Sequence, residues 1–546
     1  MNLDMDITSS LLEELSQKTS AKILNNIEAT QKYGKTTFSP VIQLDGAIII
    51  NSDSEISDVL QLANTYQFNL YPISTNKNWG YGSFATQKNR LNYILDLGQL
   101  TTITPTSKEL GLITLEPGVT QQKLYDYLKE HNWKFMVPVT GAGPECSILS
   151  NAVERGYGIT PHNDHFYAVT ALKGYIPHPE LCTTKYESAI SALDKRGSDF
   201  IDKTYKWGLG PYLDGLFTQG NLGIVSEMTI RLAPIPAHFC SFYIQIFNED
   251  KFESAVAFIS NILRDYSGII ASVNLMDQRR LISITSDNPN NSNSTKVLTD
   301  KQIEFISKQK KLPKWMIVGS IYSDKKLVNV LKSTLRKKAK ELGTIFFSDS
   351  LRVKIANKVL KNLPLKFKAT QNLLAQLESL QEGTDIMQGI PNQVALPLPY
   401  WRNPKVTPDK SIVLSPAEDG CGLLWYAPLI KMSPSSLREF TTFIREITPK
   451  YNIDPLITFT NLKHDCVDST VPIVFNLANQ AEVENAHACL NELIKEGVKR
   501  GYVPYRLDVN QQKKLDNKHT FWQTTLKIKQ ALDPNGILAP KRYNPD

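Results

Sequence analysis

STNKNWGYG, running from Ser74 to Gly82 directly behind the strand-like FNLYPIS (Phe68–Ser74), is the stretch on which the fold reading turns. Gly80 and Gly82 let backbone approach a ligand closely, and free N–H groups in such a turn bind phosphate. The run is neither GxGxxG nor a Walker lysine motif, so a Rossmann or P-loop reading is poor. Taken alone, it reads equally well as an exposed glycine turn. A second block, GAGPECSILSNAVERGYGITPHNDHF (Gly141–Phe166), combines small residues with Asn151 and a Gly-Tyr-Gly. Small residues are what a planar ring system and a pyrophosphate require of their wall. Glu154 and Arg155 are candidates for a local ion pair. His162 and His165 flank Asp164, but no third ligand has matching spacing, so a packed or capping pair is expected and no metal site.

Outward from these runs, short buried strands are expected at Ala47–Ile50, Tyr93–Leu97 and Leu112–Gly118. Thr120 caps a helix that carries Leu124, Tyr127 and Leu128 on one face. The first 36 residues read as helical, with Leu11, Leu12 and Leu15 on one face and Thr8-Ser9-Ser10 as the start signal. Alternation of strand, helix and glycine loop continues to about Leu232. Ala233-Pro234-Ile235-Pro236 then suggests a boundary, because proline interrupts both helices and sheets. Beyond it, FYIQIF reads as a strand and FESAVAFISNIL as a helix. Strands near Leu423–Ala427 and Ile473–Leu477 flank a helix starting near Ser435. DNPNNSNST (Asp287–Thr295) reads as an exposed insertion, and LPLPYWRNPKVTP (Leu396–Pro408) as irregular. The last fifty residues return to short helices and end in DPNGILAP. The fold class is α+β.

The chain has 546 residues, enough for two or three domains. A hydrophobic fraction of 41% and a charged fraction of 21% fit an ordinary soluble globular protein. The net charge of +7 is dilute, and no basic block is interleaved with aromatics, so nucleic acid is not an expected partner. The run Lys332–Lys340 has the spacing of a solvated helix face. Cys146, Cys182, Cys240, Cys421, Cys466 and Cys489 form no CxxC and read as free thiols of a reducing compartment. The acidic start MNLDMDITSSLLEELSQK lacks a secretory pattern. No apolar stretch reaches about 18 residues, so no membrane span is expected. A cytoplasmic location is the resulting expectation.

Tyr81 in the first run and the distant Tyr505-Arg506 pair have the chemistry needed to hold and ionise a phenol. A free phenol has a pKa of roughly 10. One guanidinium at about 4 Å, in an effective dielectric of about 20, contributes roughly 4 kcal/mol, or about three pKa units. Two tyrosine hydroxyls add hydrogen bonds to the same oxygen. The bland alternative is that Tyr505 and Arg506 form a surface pair in a helix-to-strand turn.

YPISTNKNWGYGSFA, LDLGQL, LEPGVTQQKLYDYL, SNAVERGYGITPHNDHF, GLGPYLDGLFTQGNLGIV, MQGIP, GCGLLWYAPL, GYVPYR and DPNGILAP occur in one order from Tyr71 to Pro540. With them the chain resembles the flavin-dependent 4-phenol oxidising family, which includes vanillyl-alcohol oxidase and para-cresol methylhydroxylase. The resemblance implies an FAD-binding domain of two α+β parts, residues 1–236 with 499–546 returning to it. It also implies a substrate cap on a large antiparallel sheet, residues 237–498. The expected FAD cradle is Ser74, Thr75, Asn76, Asn78, Gly80, Gly82, Pro138, Ser147, Asn151, Glu154, Arg155, Gly156, Gly158, Gly223, Ile224 and Val225. The family's phenol-binding triad falls on Tyr81, Tyr505 and Arg506. In that chemistry the phenolate drives hydride from the para benzylic carbon to the flavin, leaving a quinone methide. The implied partners are a small phenol, an electron acceptor that is O2 or an unidentified carrier, and further copies of the chain in a homo-oligomer.

The sequence also departs from the family. Some members tether FAD through a His at the register of Leu423, others through a Tyr slightly upstream. Ser411–Leu424 contains neither, so non-covalent FAD is expected, with a thioether to Cys146 or Cys421 as the alternative. Glu145 is the only carboxylate near the position of the acid that vanillyl-alcohol oxidase places at the flavin, and Val139 after Pro138 lengthens that run. WYAP (Trp425–Pro428) resembles the para-cresol methylhydroxylase branch, which passes electrons to a cytochrome subunit, yet no CxxCH occurs here. Two other readings keep the flavin. One is a 2-hydroxy acid dehydrogenase with Arg506 on the carboxylate, and the other is a non-catalytic flavin-binding partner subunit.

Overall fold

The computed structural model describes residues 2–190, 203–290, 296–348, 368–403, 408–409, 411–461 and 463–544. The first helix, Asn2–Lys18, buries Leu11 and Leu15 completely. It begins six residues before the expected start signal, so Thr8-Ser9-Ser10 lie inside it. Tertiary burial of the two leucines outweighs the weak helix preference of those polar residues. A short strand that the sequence reading missed, β1 (Lys22–Leu24), follows. Asn25 and Glu28 then form a capping box on the helix Asn26–Tyr33.

A first sheet has the order β1-β2-β4-β3, with β2 at Gly46–Ile49, β3 at Asn69–Ile73 and β4 at Asn92–Asp96. β2, β4 and β3 run parallel, and β1 is antiparallel to β2. Parallel strands need a crossover, and the helix Glu55–Tyr66 carries the chain from β2 to β3, on either side of β4. β2 and β4 are wholly buried, as expected of parallel strands covered on both faces. The STNKNWGYG run leaves the C-terminal end of β3, the end at which α/β sheets gather ligands.

The second sheet is antiparallel, with order β5-β6-β10-β8-β9. Its strands are β5 (Ile103–Ser107), β6 (Leu112–Leu115), β8 (Val169–Tyr175), β9 (Tyr186–Glu187) and β10 (Ile224–Arg231). Thr120 caps the helix Gln121–Glu130 by accepting from the Lys123 amide at 3.2 Å, and Leu124 and Leu128 are buried. β7 (Phe135–Met136) pairs with β11 (Ala233–Pro234), so half of the expected proline boundary is a strand. Proline is tolerated there because the pair has only two strands and both are edges.

From His238 the chain builds a nine-stranded antiparallel sheet, ordered β15-β12-β14-β13-β18-β19-β17-β20 with β16 paired to β19. The strands are β12 (His238–Ile246), β13 (Ile270–Asp277), β14 (Trp315–Ser323), β15 (Thr344–Ser348), β16 (Cys421–Tyr426), β17 (Pro428–Lys431), β18 (Thr458–Asn461), β19 (Cys466–Asn476) and β20 (Val503–Pro504). Helices Phe252–Asp265 and Pro434–Ile447 cover it, and Phe252, Trp315, Phe440, Phe443 and Phe459 fill the layer between. β20 closes onto β17, pairing Pro428 with Pro504. The very next residues are Tyr505 and Arg506, so the edge of this sheet delivers both. The tail then returns to the first sheet: the Leu70 amide donates to Ile537 O and the Ala539 amide to Leu70 O, each at 2.8 Å.

Within LPLPYWRNPKVTP, Leu398–Arg402 is a fully buried 3-10 turn rather than irregular chain, while 404–407 lie outside the described residues. Residues 291–295 of the Asn-rich loop lie outside them too. The helix Lys325–Ala339 buries Val328, Leu331 and Leu335 and exposes Lys337 and Lys338. All six cysteines are free. Among the described residues no His/Cys/Asp/Glu cluster could hold a metal, and no helix is long and apolar enough to cross a membrane.

Candidate active site

Tyr81 sits between two left-handed glycines, Gly80 at φ +78° and Gly82 at φ +77°. A Cβ on Gly80 would lie 2.4 Å from the Trp425 ring, and one on Gly82 2.5 Å from that of Phe38. Both positions therefore exclude any side chain by conformation and by space. The Asn78 side chain staples the turn by donating to Gly82 O at 2.6 Å. Tyr81 and Gly82 amides donate to Asn78 O at 3.2 and 3.1 Å, and the Gly80 amide donates to Thr37 Oγ1 at 2.8 Å. This turn buries the Tyr81 ring.

Arg506 reaches the same place from the far end of the chain. Its guanidinium carbon lies 4.4 Å from the Tyr81 ring centroid. Nη2 donates to Asn78 Oδ1 at 2.7 Å and pairs with Glu154 Oε2 at 3.0 Å, while Nε is buried without a protein partner. Burial alone would lower the Arg506 pKa, but Glu154 and the neighbouring Tyr505, Tyr81 and Tyr543 outweigh it and raise it. The Tyr81 hydroxyl is within reach of Tyr505, and burial first, then that neighbour, pushes its pKa well above the usual phenol range. Burial likewise raises that of Tyr505. Tyr505 and Arg506 are thus part of the interior and not a surface pair. The structure brings Tyr81, Tyr505 and Arg506 together.

The expected cradle residues divide by what their side chains do. Ser74 and Ser150 hydroxyls lie 2.6 Å apart and join the two glycine blocks. Asn76 takes φ +54°. The amides of Thr75, Asn76, Lys77 and Asn78 donate to no protein acceptor among the described residues. A run of unengaged amides in a turn with left-handed residues is an anion-binding concavity. Ser147 caps the helix Ile148–Val153 and donates to Pro117 O at 2.6 Å, so its hydroxyl is engaged within the protein. Arg155 takes φ +53° and donates to Thr218 Oγ1 at 2.9 Å. The local Glu154–Arg155 pair does not form, because Glu154 turns inward to Arg506 and Arg542. Gly156 and Gly158 leave no room for a Cβ against Asn151 and Val139 O, and Gly223 none against Phe217. Pro138, Ile224 and Val225 are buried apolar wall.

His165 is fully buried, with Nδ1 2.6 Å from Asn151 Oδ1 and Nε2 without a partner. Burial drives its pKa down to about 3, so the ring is neutral. The Tyr157 hydroxyl is also buried and unpartnered, with its ring 5.3 Å from that of Tyr505. Unengaged amides, orphaned buried polar atoms and glycines with no room for a side chain fit a large polar cofactor such as FAD. Ser74–Asn78 would take its pyrophosphate, and the Asn151–Gly158 turn its ring system.

Asp468, on β19, was missed by the sequence reading. It is 4% exposed, its Oδ1 has no partner, and its one side-chain contact is Thr470 Oγ1 at 3.5 Å. Burial raises its pKa well above the carboxylate range, and its charge would bear on both Tyr81 and Tyr505. The one charged residue inside the strand CVDSTVPIVFN was the available signal. A folded-state pKa above the unfolded one means that stability is lost as pH rises. Asp468→Asn, which mimics the neutral acid, is therefore expected to match the parent near pH 4 and to melt progressively higher than it as pH rises. Melting curves of both proteins from pH 4 to 8 check this, and a gap that narrows with pH would contradict it.

An FAD binding domain profile matches residues 45–173. The chain is 27% identical over 515 residues to the 1'-carboxy-chondrochloren decarboxylase of Chondromyces crocatus, covering 93% of this chain and 92% of that one. It is 26% identical over 510 residues to the flavoprotein subunit of the Pseudomonas putida 4-cresol dehydrogenase [hydroxylating], covering 92% and 88%. Its fold matches that of p-cresol methylhydroxylase with substrate bound, at a TM-score of 0.84 and 23% identity, over 99% of this chain and 97% of that one.

Proposed function

We propose that this chain, which carries an FAD binding domain and is similar along most of its length to the flavoprotein subunit of 4-cresol dehydrogenase [hydroxylating], oxidises a 4-substituted phenol, a 4-alkylphenol or 4-hydroxybenzyl alcohol, at the para benzylic carbon. The observation that carries the reading is the convergence of Tyr81, Tyr505 and the Arg506 guanidinium in one buried cluster. Bound FAD supplies the two-electron oxidation. The protein's part is to hold and ionise the phenol. Arg506 offsets the charge of the phenolate, and the two tyrosine hydroxyls donate to its oxygen. Both tyrosines stay protonated because burial holds their pKa values high, so they remain donors at neutral pH. Exclusion of water strengthens each of these interactions. The phenolate then pushes electron density toward the para carbon, which becomes a quinone methide once hydride has left. Residues 1–236 with 499–546 serve as the cofactor-holding part, and 237–498 as the cap.

FAD is held without a covalent tether. Leu423 occupies the register of the tethering histidine, is buried, and donates its amide to Thr37 O at 2.6 Å. Burial raises the pKa values of Cys146 and Cys421, which disfavours thiolate attack on the flavin. Acid precipitation is therefore expected to leave a yellow supernatant, and a yellow pellet would refute this.

The test of the function is anaerobic titration of the purified protein with 4-ethylphenol and with vanillyl alcohol. Bleaching of the visible flavin band supports phenol oxidation. A yellow protein that neither substrate bleaches would sink it. A second reading, decarboxylation of a carboxylated substrate, follows from the decarboxylase of Chondromyces crocatus. It is favoured by Lys77, whose ammonium stands 5.2 Å from the Trp79 ring centroid and has no ion-pair partner among the described residues. Carbon dioxide release with such a substrate distinguishes the two readings.

A further inference from the structure

Glu154 is shared by two guanidiniums. Oε2 lies 3.0 Å from Arg506 Nη2, and Oε1 bonds Arg542 Nη2. Arg542 also donates from Nη1 to Ser83 O at 2.7 Å. The three side chains are only 9%, 15% and 15% exposed for Arg506, Arg542 and Glu154. Two cations and one anion leave one positive charge in the interior. The other titratable groups around it do not cancel that charge. Burial keeps Tyr81, Tyr505 and Tyr543 protonated, and it favours the neutral forms of Asp468 and Cys146. An uncompensated buried charge is costly, so the cluster favours a bound anion.

The delivery of Arg542 is itself constrained. Ala539, Lys541 and Tyr543 take φ +38°, +68° and +47°, three left-handed non-glycine residues within five positions. Such conformations persist only where the surroundings over-determine them. Here the Ala539 amide bonds Leu70 O, the Asn221 side chain bonds Ala539 O at 3.0 Å, and the Leu507 amide donates to the Tyr543 hydroxyl at 3.0 Å. The strained turn carries Arg542 to Glu154, opposite Arg506.

We propose that Glu154 is a positioning residue that sets how much positive charge is offered to a bound phenolate, by holding Arg506 and Arg542 side by side while neutralising one of the two. The inference rests on the phenol reading. Glu154→Gln preserves the shape and leaves both cations unopposed, so the bound phenolate is stabilised further. Arg542→Gln removes one cation and has the opposite effect. A charge about 7 Å from the phenol oxygen, in an effective dielectric of about 20, moves the phenol pKa by roughly one to two units.

The test uses the FAD-loaded parent, E154Q and R542Q. Each is titrated with 4-nitrophenol across pH, and the ionisation of the bound phenol is read from its own absorbance. The expected result is a bound pKa about one to two units lower in E154Q than in the parent and higher in R542Q. A merely structural role would lower FAD content or melting temperature without moving the bound pKa. Bound pKa values unchanged in the variants, or shifted the other way, overturn the inference while leaving the phenol reading intact. If E154Q does not fold, R542Q alone decides by the sign of its shift. If the parent gives no bound-phenol signal, the phenol reading fails, and this inference fails with it.

Discussion

Arg506→Ala is expected to slow anaerobic flavin reduction by 4-ethylphenol about a hundredfold or more at neutral pH. At about 4 Å and an effective dielectric of about 20, a guanidinium is worth roughly 4 kcal/mol to a phenolate. Glu154 already offsets part of that charge, so the net loss is put at about two to three pKa units. At neutral pH the bound phenol then stays protonated, and each lost decade of phenolate is about a decade of rate. Arg506 also donates to Asn78, which staples the turn holding Tyr81, so some of the loss is positional. Arg506→Lys separates the two contributions, because it keeps the charge and loses the planar fork. Raising the pH is expected to recover much of the rate in Arg506→Ala, since the phenol then ionises without help. Stopped-flow reduction of each variant from pH 6 to 10 checks this. Equal rates in parent and Arg506→Ala would remove Arg506 from the mechanism.

Asp533→Ala is expected to be the most damaging change outside the pocket. Lys529 is almost fully buried and donates to Asp533 Oδ2 at 2.5 Å, Asn221 O at 2.7 Å and Leu538 O at 2.9 Å. Asp533 in turn accepts from the Ile537 and Leu538 amides at 3.1 and 2.9 Å. Removing it leaves a buried ammonium without its counter-charge, which costs about 3–5 kcal/mol. The damage spreads because Leu538 bridges to Leu70 in β3, the strand that leads into the Ser74–Gly82 run, and the same tail carries Arg542. Loss of FAD on gel filtration and a melting temperature lower by several degrees are expected together. Retention of full FAD content at the parent's melting temperature would show that the tail is held by other contacts. The substitution Lys529→Met/Asp533→Leu, which removes both charges and keeps volume, is expected to recover much of the stability.

The sequence reading located β2, β3, β4 and β6, the Thr120 cap and the two glycine blocks, because each imposes a local constraint. Only glycine tolerates φ near +78° with Trp425 in contact, and only an oxygen-bearing side chain at Thr120 caps the following helix. The reading failed where distant contacts overrode local preference. Thr8-Ser9-Ser10 became helix interior under the burial of Leu11 and Leu15, and Leu398–Arg402 became a buried turn between layers. The local pair with Arg155, offered as one reading of Glu154, does not form, because its partners Arg506 and Arg542 lie far along the chain. Asp468 was passed over because a lone acid in a strand declares its importance only when its surroundings are seen to be dry.

By itself, the sequence determined the α+β class and the places of the two glycine blocks. Backbone conformation and hydrogen-bonding type are properties of a few adjacent residues, and these were written in the motifs. The tertiary structure alone decided that Tyr81, Tyr505 and Arg506 are buried together, that Glu154 divides between Arg506 and Arg542, and that burial raises the pKa of Asp468 beside the tyrosines. Those facts depend on desolvation and on charges brought together across the chain. Both arise only when β20 closes onto β17 and the tail returns to Leu70.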